Sequence, residues 1–206
     1  YCDYVLWDDN GKPLAVVEAK KTSVDARLGQ EQARLYADGL EKMHGQRPMI
    51  FFTNGHDIWV WDDVAGYPPR YVYGFYSKDT LQYRVSFQCK ERLDLLQIRP
   101  DPVIAGRLYQ IEGITRVTER FTQRHRKALV VQATGTGKTR LAISLAKLLI
   151  EARWVKRVLF LCDRKELRKQ AKNAFNDFLK EPLYVIGQQN DIGKLDARIY
   201  IGIYQG

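Results

Sequence analysis

The sequence predicts an α/β fold in two parts: a mixed sheet, followed by a parallel lobe in which strands and helices alternate. Three observations carry this. In the first part, short apolar strands are joined by turn dipeptides, and one helical stretch interrupts them. In the second, strand and helix follow one another in turn, the pattern of a parallel sheet with covering helices. The third is charge. Residues 1–100 hold 13 Lys+Arg and 14 Asp+Glu, and residues 101–206 hold 20 and 10, so the whole +9 excess falls in the second part. A basic excess confined to one part predicts a polyanionic partner, although a solvated basic surface is the plainer reading of charge alone.

Taken in order, residues 2–7 and 13–19 read as strands. Between them stands Asp9-Asn10-Gly11, a strong hairpin signal. Residues 26–43 have helical spacing, with Leu28, Ala33, Leu35, Tyr36 and Leu40 at the apolar positions. Residues 48–53 form an apolar strand, and Asn54-Gly55 turns into another at 58–61. Tyr67-Pro68-Pro69 breaks the chain before a strand at 71–75. Residues 77–102 read as a helix and a linker, with the domain boundary near Arg99-Pro100-Asp101-Pro102, giving domains 1–98 and 99–206. The second part then predicts a helix at 103–123 and a strand at 128–132. After a glycine-rich loop come a helix at 139–152, a strand at 158–162, a helix at 164–179, and strands at 183–186 and 199–203.

Several classes are excluded. The apolar runs are too short to span a bilayer, so no membrane partner is expected. Cys2, Cys89 and Cys162 form no CxxC pair and read as free thiols in a reducing cytoplasm. His44, His56 and His125 are scattered, which argues against zinc. Tyr1 in place of Met, and a strand running towards Gly206, lead us to expect an internal segment of a longer chain.

The clearest chemical signal is Gln132-Ala133-Thr134-Gly135-Thr136-Gly137-Lys138-Thr139. It follows an apolar run and opens a helix, the context a phosphate loop needs. The glycines let backbone N–H groups point at phosphates, and the helix N-terminus adds a favourable dipole. Lys138 would neutralise the β/γ-phosphates, and the Thr139 hydroxyl would hold Mg²⁺. Gln132 replaces the usual first Gly, and the Thr-Gly-Thr-Gly-Lys-Thr core resembles motif I of superfamily 2 helicases. Gln110, in Arg107-Leu108-Tyr109-Gln110, resembles the adenine-reading Gln of those helicases, although Gly113 stands where Ala is more usual. Residues 158–164, with Leu167, Gln170 and Ala171 beyond, resemble motif Ia, in which the strand end contacts the DNA backbone. Ile201-Gly202-Ile203-Tyr204-Gln205 stands where motif Ib is expected. No Asp-Glu-x-His motif occurs before Gly206, so efficient ATP turnover by this chain alone is not expected.

The first part carries Asp3 and then Glu18-Ala19-Lys20. Side chains two apart on a strand share a face, so Glu18 and Lys20 point the same way. With a two-residue turn at Asn10-Gly11, positions summing to 21 face each other: Asp9 with Lys12, Trp7 with Leu14, Val5 with Val16, and Asp3 with Glu18. Two opposed carboxylates repel unless a cation lies between them, and Mg²⁺ takes such oxygen ligands. A metal-activated water attacking a phosphodiester, with Lys20 offsetting the growing negative charge, is the chemistry this set suits. The arrangement resembles the PD-(D/E)xK nuclease core. Gln32 and Tyr36 lie i,i+4 on the next helix and share a face. A Gln-x-x-x-Tyr pair so placed resembles an extension found in a subset of these nucleases; an amphipathic helix with Tyr in the core is the plainer alternative.

The series as a whole resembles the restriction (R, motor) subunit of type I restriction–modification enzymes. It rests on 3–6, 17–22, 32–38, 52–55, 126–129, 133–139 and 159–164, in that order. The resemblance implies a PD-(D/E)xK nuclease-like mixed sheet followed by a partial RecA-like parallel α/β motor lobe. It implies ATP and Mg²⁺ as cofactors, and double-stranded DNA with methylation and specificity subunits as partners, in a prokaryotic cytoplasm. Asp3, Glu18, Lys20, Gln32 and Tyr36 would be catalytic, with metal at Asp3, Glu18 and Thr139. Gln110, Thr134, Gly135, Thr136, Gly137, Lys138 and Thr139 would bind nucleotide, and Asp163 and Arg164 would bind DNA. Two alternatives remain open on the residues: a superfamily 2 DNA helicase with an inactive nuclease-like DNA-binding domain, and a different phosphate-loop enzyme such as a kinase. The motif Ia resemblance and the basic second part count against the latter.

Overall fold

The computed structural model describes residues 2–88, 92–187 and 197–204. The chain divides into two compact units, Tyr1–Glu91 and Arg92–Gly206.

The first unit is a five-stranded mixed sheet in the order β1-β2-β3-β4-β5. Its strands are β1 (Tyr4–Trp7), β2 (Pro13–Ala19), β3 (Met49–Thr53), β4 (Ile58–Trp61) and β5 (Arg70–Val72). Only β2 and β3 pair in parallel, because α1 (Gln30–His44) crosses between them. That explains their composition. A central parallel pair is covered on both faces and so reads as a continuous apolar run. One face packs Leu14, Val17, Met49 and Phe51 beneath the short helix α2 (Lys78–Gln82), through Leu81. The other packs Val16, Ile50 and Phe52 beneath Ala33, Ala37 and Leu40 of α1. Alanines at two core positions of α1 bring its backbone close to the sheet. The helix ends at Gly45, whose φ of 67° supplies the left-handed cap. Arg47 fastens this end: its guanidinium pairs with Asp38 and Glu41 of α1 and with Asp63 beyond β4. Arg47 holds the Asp38 carboxyl below the usual range, chiefly through their direct hydrogen bond.

The hairpin register departs from expectation at the turn and recovers beyond it. The Asp8 carboxylate accepts from the N–H groups of Asn10 and Lys12, making a wider turn than two residues. Asp9 therefore does not face Lys12, and Trp7 pairs with Pro13 rather than Leu14. A bulge between Leu6 and Trp7 restores the predicted pairing at Leu6↔Ala15, Val5↔Val16 and Tyr4↔Val17. The expected helix over 26–43 begins as a 3-10 turn, Ala26–Gly29, capped by the Asp25 carboxylate. The expected strand over 71–75 is shorter and earlier, at Arg70–Val72.

The second unit contains α3 (Leu108–Thr122), α4 (Lys138–Glu151), β6 (Val158–Cys162), α5 (Lys165–Phe178), β7 (Leu183–Val185) and β8 (Ile199–Ile203). Its sheet is parallel, in the order β6-β8-β7. Ile199 and Ile201 of the central β8 pack with Ile143, Ala171 and Phe175 of the helices. Leu95 belongs to this unit, in a cluster with Ile114 and Leu141, so the division falls ahead of the Arg99–Pro102 segment. Two expectations are corrected. The helix placed at 103–123 starts at Leu108, because the Asp101 carboxylate caps a turn at Val103 and pairs with Lys147. The strand expected at 128–132 is not formed: Leu129 and Val131 are exposed, and among the described residues no strand pairs with them. An apolar run becomes a strand only when a neighbouring edge accepts its backbone. The motif Ib resemblance falls on β8, with its Gln205 outside the described residues, as is Cys89. Among the described residues, no helix is long and apolar enough to cross a membrane.

Candidate functional site

In the first unit, the site lies where β2 ends. Glu18 is the next-to-last residue of β2, and it is buried, with 3% of its surface exposed. Its Oε1 accepts from Lys20 Nζ at 2.7 Å. Its Oε2 is buried with no hydrogen-bond partner. A buried carboxylate oxygen left without a partner costs free energy unless a ligand satisfies it. Lys20 is fixed from both sides, since Nζ also donates to Gln32 Oε1 at 2.7 Å. Gln32 Nε2 donates in turn to Tyr36 Oη at 2.9 Å. The structure therefore brings Glu18, Lys20, Gln32 and Tyr36 into one hydrogen-bonded chain running from strand to helix.

Asp3 stands beside this chain rather than in it. The strand pairing ends at Tyr4↔Val17, and Asp3 stands just before β1. Its Oδ2 accepts from the Ala19 N–H at 2.7 Å, so one carboxylate oxygen anchors the strand end that carries Glu18 and Lys20. The donor set fits a cation chiefly through the orphaned Glu18 Oε2. Among the described residues, no group of three acidic, His or Cys side chains forms a ready-made metal cluster.

Two residues that the sequence reading does not place in the site also shape it, although Asn54 reads there as a turn residue. Gly29 precedes α1, and a Cβ there would lie 3.0 Å from Glu18 Cγ and 3.3 Å from Lys20 Cε. A side chain at this position would crowd the acid–lysine pair and shift it by a few tenths of an ångström. Asn54 is buried at the β3–β4 turn. Its Oδ1 accepts from the N–H groups of His56 and Asp57, and its Nδ2 donates to Val24 O at 2.9 Å. This ties down the loop that follows Lys20.

In the second unit, Gly135 and Gly137 adopt φ of 78° and 86°, and α4 begins at Lys138. Positive φ at both glycines curls the loop so that it opens directly into the helix. Thr136 Oγ1 donates to Ala133 O at 2.7 Å and closes the loop. Lys138 is exposed at the helix N-terminus, and among the described residues no carboxylate pairs with it. Thr139 follows on the first turn, while Thr134 is exposed.

Gln110 is buried, and both ends of its amide are engaged. Nε2 donates to Thr136 O at 3.0 Å, and Oε1 accepts from the Arg107 N–H at 3.4 Å. In this arrangement the amide braces the loop instead of facing outward. Tyr109, which sequence reasoning passed over, joins it: Oη donates to Thr136 O at 2.9 Å. Beside these residues opens a cleft of about 390 Å³, lined by Tyr109, Gly113, Arg116, Val130, Val131 and Thr136 among others. Asp163 and Arg164 stand between β6 and α5; their side chains pair at 3.5 Å, with Asp163 half-buried and Arg164 exposed.

Two family profiles divide the chain between them. Residues 1–68 match "Type I restriction enzyme R protein N terminus", and residues 104–206 match "Type III restriction enzyme, res subunit". The class is that of restriction-enzyme subunits. Among curated proteins, the EcoKI endonuclease subunit of Escherichia coli K12 is 25% identical, over 86% of this chain and 19% of its own length. The EcoAI endonuclease subunit of Escherichia coli is 31% identical, over 85% and 22%. A type I endonuclease subunit of Staphylococcus saprophyticus is 32% identical, over 83% and 20%. A solved fragment described as an HsdR subunit of a type I restriction enzyme from Vibrio vulnificus aligns with a TM-score of 0.39. Its identity is 30%, covering 99% of this chain and 37% of that one. The chain belongs to the family of type I restriction-enzyme endonuclease (R) subunits, and it spans about a fifth of the length of these curated relatives.

Proposed function

We propose that the chain holds the DNA-cleavage centre and the nucleotide loop of a type I restriction motor, in which ATP-dependent translocation is coupled to Mg²⁺-dependent double-strand cleavage. The first unit is read as a PD-(D/E)xK nuclease domain and the second as part of a RecA-like lobe. Double-stranded DNA and the methylation and specificity subunits are its partners, in a prokaryotic cytoplasm. The observation that carries the reading is Glu18: a buried carboxylate with one oxygen on Lys20 and the other without a partner.

Mg²⁺ at Glu18 supplies Lewis acidity and an activated water when bound. Lys20, kept in place by Glu18 and Gln32, offsets negative charge developing on the phosphodiester oxygens. Gln32 orients Lys20, and Tyr36 orients Gln32. Asp3 holds the strand end and has a second oxygen to offer. In the second unit, backbone N–H groups of Thr134 to Gly137 cradle phosphates. Lys138 neutralises them and Thr139 contributes a hydroxyl to Mg²⁺. The adenine occupies the Tyr109-lined cleft, while Gln110 transmits the loop position to α3. Asp163 and Arg164 face the DNA backbone.

Two assays on the 206-residue chain test this. In the first, supercoiled plasmid is incubated with Mn²⁺ or Mg²⁺. Metal-dependent nicking lost in Glu18→Ala supports the reading, and nicking unchanged in that variant overturns it. In the second, a fluorescent ATP analogue is titrated, and binding unaffected by Lys138→Ala overturns the loop assignment.

A further inference from the structure

Register places four side chains in one row across the first sheet: Glu18 on β2, Phe52 on β3, Trp59 on β4 and Tyr71 on β5. In-register neighbours share a face, so the row starts at the candidate acid and runs outward. Phe52 is buried under the 3-10 turn, parallel to Trp59 at 6.1 Å. Trp59 meets Tyr71 edge to face at 6.2 Å, and Tyr71 meets Tyr73 edge to face at 5.3 Å. From the turn, the Arg27 guanidinium reaches over the Trp59 ring at 5.9 Å. The outer rings are open: Tyr71 is 42% exposed and Tyr73 97%.

Their geometry sorts possible occupants. Rings that meet edge to face leave ring faces for a third planar group to cover. A guanidinium over an aromatic ring, with Lys20 beside Glu18 at the near end of the row, suits an anionic chain that carries flat bases. Three inter-strand steps separate Glu18 from Tyr71, on the order of 14 Å. That is about four nucleotides at the B-form rise of ~3.4 Å per strand position, and fewer in an extended strand. Bases inside a duplex are already stacked on each other and cannot offer a face to a side ring, whereas unpaired bases can.

Resting on the nuclease reading above, we propose that Trp59, Tyr71, Tyr73 and Arg27 form a stacking platform for a locally unpaired DNA strand flanking the phosphodiester held at Glu18. The substrate at this site is then DNA whose strands are parted beside the cut, and the platform holds one of them.

The test uses the 206-residue chain with a fluorescent ten-nucleotide oligothymidine and a blunt duplex of equal length. It is run at about 0.2 M salt, where phosphate contacts of the basic second unit are weakened. Tyr71 and Tyr73 are exposed, so the doubly substituted protein should keep its melting profile. The Tyr71→Ala/Tyr73→Ala protein should lose at least about fivefold in single-strand affinity, the lower end for one stacked base, while duplex affinity changes less than twofold. Tyr73→Phe, which keeps the ring, should retain wild-type affinity. Unchanged single-strand binding in the double variant overturns the platform, and so does an equal loss on duplex, which would make it a duplex surface. Glu18→Ala separates the two readings. A tyrosine effect on oligothymidine binding, found together with nicking that stays intact in Glu18→Ala, would sink the nuclease reading and leave the strand-binding surface standing.

Discussion

In the first unit the candidate site is made of side chains that hold one another; in the second it is made mostly of backbone. Glu18, Lys20, Gln32 and Tyr36 form a chain of hydrogen bonds between β2 and α1, all between side-chain atoms. The glycine-rich loop takes its shape from two glycines with positive φ, and the bonds that brace it end on backbone carbonyls of Ala133 and Thr136. The difference has a consequence for substitution. A site made of side chains loses function when any one is removed. A site made of backbone tolerates loss of side chains that do not set its curvature.

Four substitutions can break or sharpen that contrast. The largest effect belongs to Lys20→Ala, which should lower metal-dependent cleavage by about 10²–10³-fold, the usual cost of one preorganised donor; plasmid nicking rates measure it. Gln32→Ala leaves Lys20 present but held from one side only, and should cost about 10–100-fold in the same assay, as supporting contacts around a metal site do. Arg47→Met probes the frame of the first unit at the other end of α1 from the site. It strands Asp38, Glu41 and Asp63, and should destabilise the first unit by about 1–3 kcal/mol, the partly exposed acids softening the loss. Its pH signature is specific. The Asp38 carboxyl is held low in the folded chain, so its stabilising contribution is present above about pH 3.9, the ordinary Asp value, and fades as pH falls through the lowered value. Acid melts of the wild type should steepen there, and those of Arg47→Met should be flatter. The smallest effect is expected at Thr134→Ala. Its side chain is exposed and the loop uses only its backbone, so affinity for an ATP analogue should change by less than about threefold.

The same contrast explains what could be read from the residues alone. Strand β2 with Glu18, Lys20 just past its end on the same side, and the i,i+4 pair Gln32 and Tyr36 were legible, because side-chain periodicity is written in the sequence. The register over Tyr4 to Leu6 is legible too, although the turn is wider than two residues and the bulge at Leu6/Trp7 compensates. The link from Gln32 to Lys20 was not, since it depends on how closely α1 approaches β2. That approach is eased by a glycine, Gly29, whose local sequence looks like an ordinary helix start. In the second unit the loop and helix α4 followed from Gly-Thr-Gly-Lys-Thr. The run at 128–132 did not become a strand, because apolar content says nothing of whether a partner edge is at hand. Gln110 reads in the sequence as an adenine contact; its amide instead bonds Thr136 O and the Arg107 N–H, and that direction depends on tertiary contacts that no spacing rule encodes.

The central claim is that the orphaned oxygen of Glu18 marks a cation site, and the most direct measurement is Mn²⁺ binding followed by electron paramagnetic resonance. It is made without nucleotide, so that the phosphate loop contributes nothing. The account predicts one bound Mn²⁺ per chain, lost in Glu18→Ala and kept in Lys138→Ala. Binding of equal strength in Glu18→Ala, or none in the unaltered chain, would contradict it.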